Sequence, residues 1–495
     1  MSVAAKGEVG AGRPRARVNE SGLAGACALG FVAYGALAWS TRGSGVSVAW
    51  LLGAQAAAWA SLWLALRSLD DARIDARAAL WIVAGAAGFR LCGLWTAPAW
   101  EDDYFRYLWD GWMTWHAGSP YGTPPLDWFA QAAVPDAMQA VLDGVNNPER
   151  ATIYGPVAQA WFAAAALAGA GKLWILKAAL LAAEAAGLWA LKRWAGWRAF
   201  LIAAWCPLAV TETAFAGHVD ALCAAGLAGA LLARSRGRAG WAAALLAAAC
   251  ATKAYALLLA PFFLWRGNWR DSVRAAAVWL GALAAMYAPW LWATDASGGR
   301  GGAVAAVLGL DAAGAMAGGF EFNSTGFALL GGWLGDEAGR QAATAALAVC
   351  AGFVVMKWIR AEAATAASEA GADDGRTLAA AAPLVVAAWA WWSPVFHPWY
   401  ALLALPFWAR RPTGWGLALL AALPLSYVHG LTLGAAAADG GDYRHPWWVR
   451  PAEVALVAAG LLFDRWRGRA ESAGKVGQTL SCHSGEIDRS SPSLR

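Results

Sequence analysis

From residue 20 to residue 464 the chain alternates runs of about 20 apolar residues, rich in Ala, Leu, Val and Trp, with short clusters of arginine and lysine. Runs of that length match the roughly 30 Å hydrocarbon core that a helix rising about 1.5 Å per residue must cross. A membrane β-barrel would instead show alternating segments of about ten residues, and none is visible. The pattern predicts an all-α, polytopic transmembrane helical bundle of about 11 to 14 membrane segments, some of them broken or re-entrant. Composition sharpens this: 59% of residues are hydrophobic, 14% are charged and 34 are tryptophan, whereas a soluble domain is roughly 45–50% apolar. The net charge of +5 is spread over short loops, so it reads as an orientation signal and excludes nucleic acid as an expected partner.

Basic loops fix a predicted topology. The clusters Arg67/Arg73/Arg77, Lys192/Arg193/Arg198, Arg234/Arg236/Arg238, Arg266/Arg270/Arg274, Lys357/Arg360, Arg410/Arg411 and Arg465/Arg467/Arg469 are expected in the cytoplasm. Lys6, Arg13, Arg15 and Arg17 precede an apolar run at 21–40. That run is read as the first membrane helix and not as a signal peptide, because no exported soluble domain follows it. Residues 1–19 are then a cytoplasmic segment, residues 20–469 a transmembrane domain, and the Ser-, Gly- and charge-rich residues 470–495 a disordered cytoplasmic tail. Spans at 78–97 and 173–191 leave residues 99–171 outside as a long extracytoplasmic loop. Within it, residues 155–170 are apolar with both ends on the outer side, and are expected as a juxtamembrane or re-entrant helix. The seven cysteines include no CxxC pair and are expected as small core fillers.

Two apolar stretches are predicted to break. Residues 239–267 are flanked by arginines but too short for two crossings, so two half-helices should meet near Lys253 and Tyr255. A cation at such a tip marks either an anion site or a lysine snorkelling to the interface. Residues 393–411 should break around His397, between Pro394 and Pro398. Under this topology five of the six histidines fall towards the outer side, counting His429, together with Asp102, Asp103, Asp220, Glu321, Asn323 and Asp442.

The stretch WEDDYFRYLWDGW, residues 100–112, concentrates charge in this apolar chain. If it enters a helix, Asp103, Arg106, Tyr107 and Asp110 share one face. A carboxylate beside a cation stays ionised and can take a proton from a hydroxyl; an amphipathic interface helix with a solvated acidic face fits the spacing equally. FAGHVDALC, residues 215–223, sets His218 and Asp220 at a turn, where Asp220 is either a site residue or a helix cap. Glu321 and Asn323 begin another outer segment with the same two alternatives. No P-loop or Rossmann glycine pattern is present, which fits a substrate delivered by the membrane better than a soluble nucleotide sugar.

The stretches EDDYFRYLWDG, SPYG (119–122), NPERATIYGPVAQAWF (147–162), WCPLAVTETAFAGHVDAL (205–222), TKAYALLLAP (252–261), FEFNSTGF (320–327) and SPVFHPWYALLALP (393–406) occur in this order over most of residues 78–410. Together they resemble the GT-C superfamily of polyprenyl-phosphate-sugar-dependent glycosyltransferases, in particular its bacterial mannosyltransferase-like group. Phe105 stands where that pattern has tyrosine, Gly155 where it commonly has proline, and His397 where another polar residue is usual.

The resemblance implies inverting transfer of a sugar, mannose or a related hexose, from a polyprenyl-phosphate donor to a glycan or glycolipid acceptor. The place would be the outer face of the bacterial cytoplasmic membrane. It implies Asp103, or next Asp102, as the catalytic carboxylate. Lys253, then Arg106 and His218, are expected at the donor phosphate. Tyr107, Asp110, Asp220, Tyr154, Gln159, Glu321, Asn323, His397 and Tyr400 are expected to bind substrate. No cofactor is expected and metal-independent chemistry is favoured, since Asp102, Asp103 and Asp220 lack dedicated ligand spacing, although a divalent cation there stays an alternative. The competing function is a transporter or flippase of lipid-linked sugars, whose usual mark is an internal repeat; none is visible.

Overall fold

The computed structural model describes residues 18–42, 48–69, 74–98, 100–129, 131–296, 302–310, 320–367, 375–430 and 445–487, together with residues 314 and 318. Residues 1–17 of the amino-terminal segment, Arg73, Asp442, the side chain of His429 and all side chains from residue 470 onwards therefore lie outside the described residues.

Among the described residues the fold is helical, and its one extended feature is an isolated parallel bridge between Phe322 and Val395. Six helices among the described residues are long and apolar enough to cross a membrane: α1 (Glu20–Ser40), α2 (Val48–Ser68), α3 (Ala76–Leu94), α7 (Leu173–Trp205), α12 (Trp269–Ala296) and the helix Asp336–Ala367. Five shorter apolar helical segments accompany them. The chain is thus an all-α, polytopic membrane protein, as its hydrophobic pattern requires.

The predicted breaks are present. The helix α10 (Ala239–Cys250) stops before Lys253, whose backbone is extended, and the chain resumes as a 3-10 turn at Ala254–Leu259 and a short helix, α11 (Ala260–Leu264). Likewise the helix Arg376–Trp392 ends at Ser393, and a 3-10 turn at Pro398–Leu403 follows His397. Between α3 and α7 lie α4 (Asp103–His116), α5 (Asp136–Asp143) and α6 (Pro156–Gly169), the last in the apolar stretch expected to be juxtamembrane. After α7 come α8 (Pro207–Val210), a π turn at Thr211–Ala216 and α9 (Asp220–Ser235). At the carboxyl end the helix Val449–Ile487 continues into the segment expected as a structureless tail.

Packing explains where these pieces meet. One apolar cluster joins α1–α3 to Trp205, Phe215, Trp399 and Tyr427. A second joins Ile202, Leu227, Leu246, Phe262, Leu402 and Trp408, with Tyr255 and Tyr400 against it. A third, in the loop region, holds Tyr107, Trp109, Met138, Leu142, Tyr154 and Phe162. The polar residues of the candidate site lie at the junction of the three.

Gly155 shows how tightly the loop is stitched to the α10 break. Its amide donates to the Thr252 carbonyl at 3.2 Å, and the Val157 amide to the Ala251 carbonyl at 3.0 Å. A Cβ at residue 155 would overlap the Ala251 carbonyl. That close approach of two backbones accounts for glycine at this position.

Candidate active site

Asp103 opens α4, where the positive end of the helix dipole favours a carboxylate. The hydroxyls of Tyr154 and Tyr107 donate to its Oδ2 at 3.0 and 3.3 Å. Asn146 bridges the neighbouring acids through one amide nitrogen, 2.6 Å from Asp102 Oδ1 and 3.3 Å from Asp103 Oδ1. Although an ideal helix would turn Asp102 and Asp103 well apart, Asp102 sits ahead of the first turn and shares Asn146 with its neighbour.

The face Asp103–Arg106–Tyr107–Asp110 turns inward and not to solvent: Arg106, Tyr107 and Asp110 are all buried. Arg106 donates to the carbonyls of Asn146, Asn147 and Arg150 at 3.0–3.2 Å, clamping the loop that carries Asn146. Asp110 accepts from Gln159 Nε2 at 2.8 Å, and the same nitrogen reaches Thr152 at 3.0 Å. These contacts tie α4 to α6 two turns below Asp103.

Opposite Asp103, the α10 break presents Lys253. Its ammonium lies 3.1 Å from Asp220 Oδ2, and the two side chains are 11% and 1% exposed. The rings of Tyr154, Tyr400 and Tyr255 surround it, with centroids 5.2, 5.4 and 5.8 Å from Nζ. Tyr255 also hydrogen-bonds Asp220. This lysine does not snorkel; it is caged and paired. Asp220 is the first residue of α9, one past the N-cap Val219, and its side chain is taken up by Lys253 and Tyr255, so the capping alternative gives way to the ion pair.

His218 Nδ1 is 2.7 Å from Glu212 Oε2, and its ring stacks on Trp399 at 3.8 Å. His397 stacks on Trp399 at 4.3 Å and on Phe322 at 4.3 Å. The bridge that joins Phe322 to Val395 thereby brings the FEFNST segment beside His397. Glu321 and Asn323 face the start of the Val449–Ile487 helix: Glu321 pairs with Arg450 at 2.6 Å and Asn323 donates to Glu453 at 3.1 Å. His445 packs its ring edge against Phe322.

The acids beside α4 differ in their environments. Burial pushes the Asp103 carboxyl up, but the fields of His218, Lys253 and His397 and the Asn146 hydrogen bond outweigh it and hold Asp103 below its ordinary value. Glu101 goes the other way: enclosure first, then repulsion from Asp103, Asp102 and Glu212, pushes it well above the usual range, and Lys253 offsets only part of this. Burial and the Asp103 charge likewise keep the Tyr154 hydroxyl protonated as a donor. Carboxyls separated in this way can take different roles, Asp103 as an ionised proton acceptor and Glu101 as a neutral neighbour. Among the described residues no group of three His, Cys, Asp or Glu side chains is arranged to hold a metal ion.

An ionised carboxylate and a caged cation that share Tyr154 can activate a hydroxyl on one side and hold an anion on the other. Residues 151–373 match the model of glycosyltransferase family 87. That match and the apolar helices make the chain a membrane glycosyltransferase. The matched span takes in Tyr154, His218, Asp220, Lys253 and Asn323, and leaves Asp103 and His397 on either side of it. No curated protein and no solved structure matches the chain.

Four residues at the site of this glycosyltransferase escaped sequence reasoning. Asn146 lies 44 positions from Asp102 in a loop with no local signal. Tyr427 reaches Glu212 from 215 positions away. Glu212 did carry a signal, a lone acid inside the apolar run WCPLAVTETAF, which by itself is a reason to suspect function. Glu101 was visible in the acidic stretch but was not separated from its neighbours.

Proposed function

We propose that this glycosyltransferase moves a hexose, mannose or a close relative, from a polyprenyl-phosphate donor to a hydroxyl of a glycan or glycolipid, with inversion at the anomeric carbon, on the outer face of the cytoplasmic membrane. The observation that carries the reading is Asp103, held in place by Tyr107, Tyr154 and Asn146 and kept ionised chiefly by the fields of His218, the caged Lys253 and His397.

In the reaction the acceptor hydroxyl gives its proton to the Asp103 carboxylate as its oxygen attacks the anomeric carbon. The bond from that carbon to the phosphate oxygen breaks on the opposite face, and polyprenyl phosphate leaves with the electron pair. Lys253 stabilises the charge developing on the phosphate, held in place by Asp220 and three tyrosine rings. Arg106 serves by clamping the 146–150 loop, so that Asn146 keeps Asp102 and Asp103 in register. Nothing in this scheme needs a metal ion or cofactor.

The test is transfer of radiolabelled sugar by the purified chain from a panel of polyprenyl-phosphate sugars to membrane glycolipid. Product should appear with one donor, and its anomeric configuration should be opposite to that of the donor. Labelled lipid crossing a bilayer with no covalent product would favour a flippase instead.

A further inference from the structure

Between α8 and α9 the backbone leaves the α-helical path. Thr211–Ala216 winds as a π turn, Gly217 follows in the left-handed region at φ +81°, and the His218 amide folds back to donate to the Glu212 carbonyl at 2.8 Å. Single π turns are rare and recur at functional sites. Here the turn carries the imidazole onto a carboxylate six residues earlier, and both side chains are sealed, at 1% and 0% exposure. The Tyr427 hydroxyl donates to the same Oε2 at 2.8 Å, fixing the carboxylate from the far side. Trp399 fixes the plane of the ring. The other ring nitrogen, Nε2, is buried with no hydrogen-bond partner among the described residues. A buried polar atom without a partner calls for an explanation, and an imidazole oriented through one nitrogen with the other left open is prepared for a ligand.

We propose that Glu212 is a positioning residue that keeps His218 as an imidazolium, with its Nε2–H left for a phosphate oxygen of the donor. The proposal rests on the polyprenyl-phosphate reading above and adds to it how the histidine is held and charged. The charged groups around the His218–Glu212 pair are Asp102, just ahead of α4, Asp103 in it, Asp220 at the start of α9, and Lys253 and His397 from the two helix breaks, while Glu101 faces Glu212. His218 neither gains nor loses a proton in turnover. It donates a hydrogen bond that strengthens as the phosphate leaves.

The experiment is steady-state transfer by the full chain from a synthetic polyprenyl-phosphate mannose, measured from acid to alkaline pH for the parent, His218→Gln, Glu212→Gln and Tyr427→Phe. In the parent the donor KM rises as pH climbs and the imidazolium is lost. Glu212→Gln should move that rise about one unit to lower pH, since the field of an adjacent carboxylate is removed, with the donor KM at acid pH close to the parent's. Tyr427→Phe takes a hydrogen bond from the carboxylate, which then holds the imidazolium proton harder, so the rise moves to higher pH. His218→Gln should remove the rise altogether. A structural role alone would lower activity at every pH and shift nothing. If Glu212→Gln does not fold, the direction of the Tyr427→Phe shift decides. A parent that transfers mannose while both variants keep its KM profile overturns the role of Glu212; a parent that transfers from no polyprenyl-phosphate sugar overturns the reading beneath it.

Discussion

The Lys253 ammonium and the Asp220 carboxylate, 3.1 Å apart and almost sealed from solvent, bind the α10 break to the start of α9. Removing one partner of such a buried pair leaves the other charge stranded, at a cost of about 3–5 kcal/mol. Lys253→Met should therefore lower thermal stability, and Lys253→Met combined with Asp220→Asn should recover most of it. In the recovered double variant the donor KM should still be about 10- to 100-fold above the parent's, the scale of a lost charge-assisted hydrogen bond of roughly 1.5–3 kcal/mol, with acceptor KM unchanged. A parental donor KM in that background would leave Lys253 a purely structural role.

Gly155 should tolerate no side chain. A Cβ there meets the Ala251 carbonyl, next to the break that carries Lys253. Gly155→Ala should cost about 1–3 kcal/mol, the scale of overpacking a fitted interior, read as a lower melting temperature in detergent. Gly155→Pro should be worse, because it also removes the amide that donates to Thr252.

The two acids at the mouth of α4 should give opposite pH dependences. Asp103 is held below its ordinary value, so its contribution to stability is present above the unfolded-state carboxyl value and is lost as pH falls through the folded one. Glu101 is raised, so the folded state prefers it protonated, and stability declines as pH rises from the unfolded value through the folded one. Melting curves across pH should show the second decline in the parent and a flatter profile in Glu101→Gln. An unchanged slope would mean that Glu101 ionises as an ordinary glutamate.

The class of fold was legible because a bilayer leaves so few solutions: about 20 apolar residues between basic loops can only be a helix. The breaks at Lys253 and His397 were legible for a related reason, since length in one case and proline in the other forbid a continuous crossing. The inward face of α4 could be listed by spacing, but its direction could not, because burial of Asp110 depends on Gln159 arriving from a different helix. Partnerships at long separation were hidden altogether. Glu321 and Asn323 looked like residues facing a substrate, yet their nearest polar partners are Arg450 and Glu453, about 130 positions on. Nothing local in the sequence encodes such a pairing.

Loop orientation is open to a direct chemical test. In a cysteine-free background, a membrane-impermeant thiol reagent applied from outside should label a cysteine at the exposed position 136 in the loop and not one at position 196, the non-helical break within Leu173–Trp205 beside the Lys192/Arg193/Arg198 cluster. The reverse pattern would turn the candidate site to the cytoplasm and remove the outer-face part of the proposal.

The last prediction separates Asp103 from Asp102. Both accept from Asn146, but Asp103 alone also receives the hydroxyls of Tyr107 and Tyr154. Those donors face inward, towards Lys253, whose ammonium sits over the Tyr154 ring. A carboxylate so placed is the one that can reach an acceptor hydroxyl lying between it and the donor. Asp103→Asn keeps shape and polarity but cannot accept a proton, so kcat should fall by at least about 10²-fold, the scale of a lost general base, with donor affinity nearly constant. Asp102→Asn should cost less than tenfold, through looser orientation of Asn146. Asn146→Ala should fall between them, because it frees both acids at once, and the variant's donor KM should stay near the parent's. A folded Asp103→Asn protein working at the parental rate would refute the assignment. Equal losses in Asp102→Asn and Asp103→Asn would instead make the proton acceptor a property of the Asn146-bridged pair.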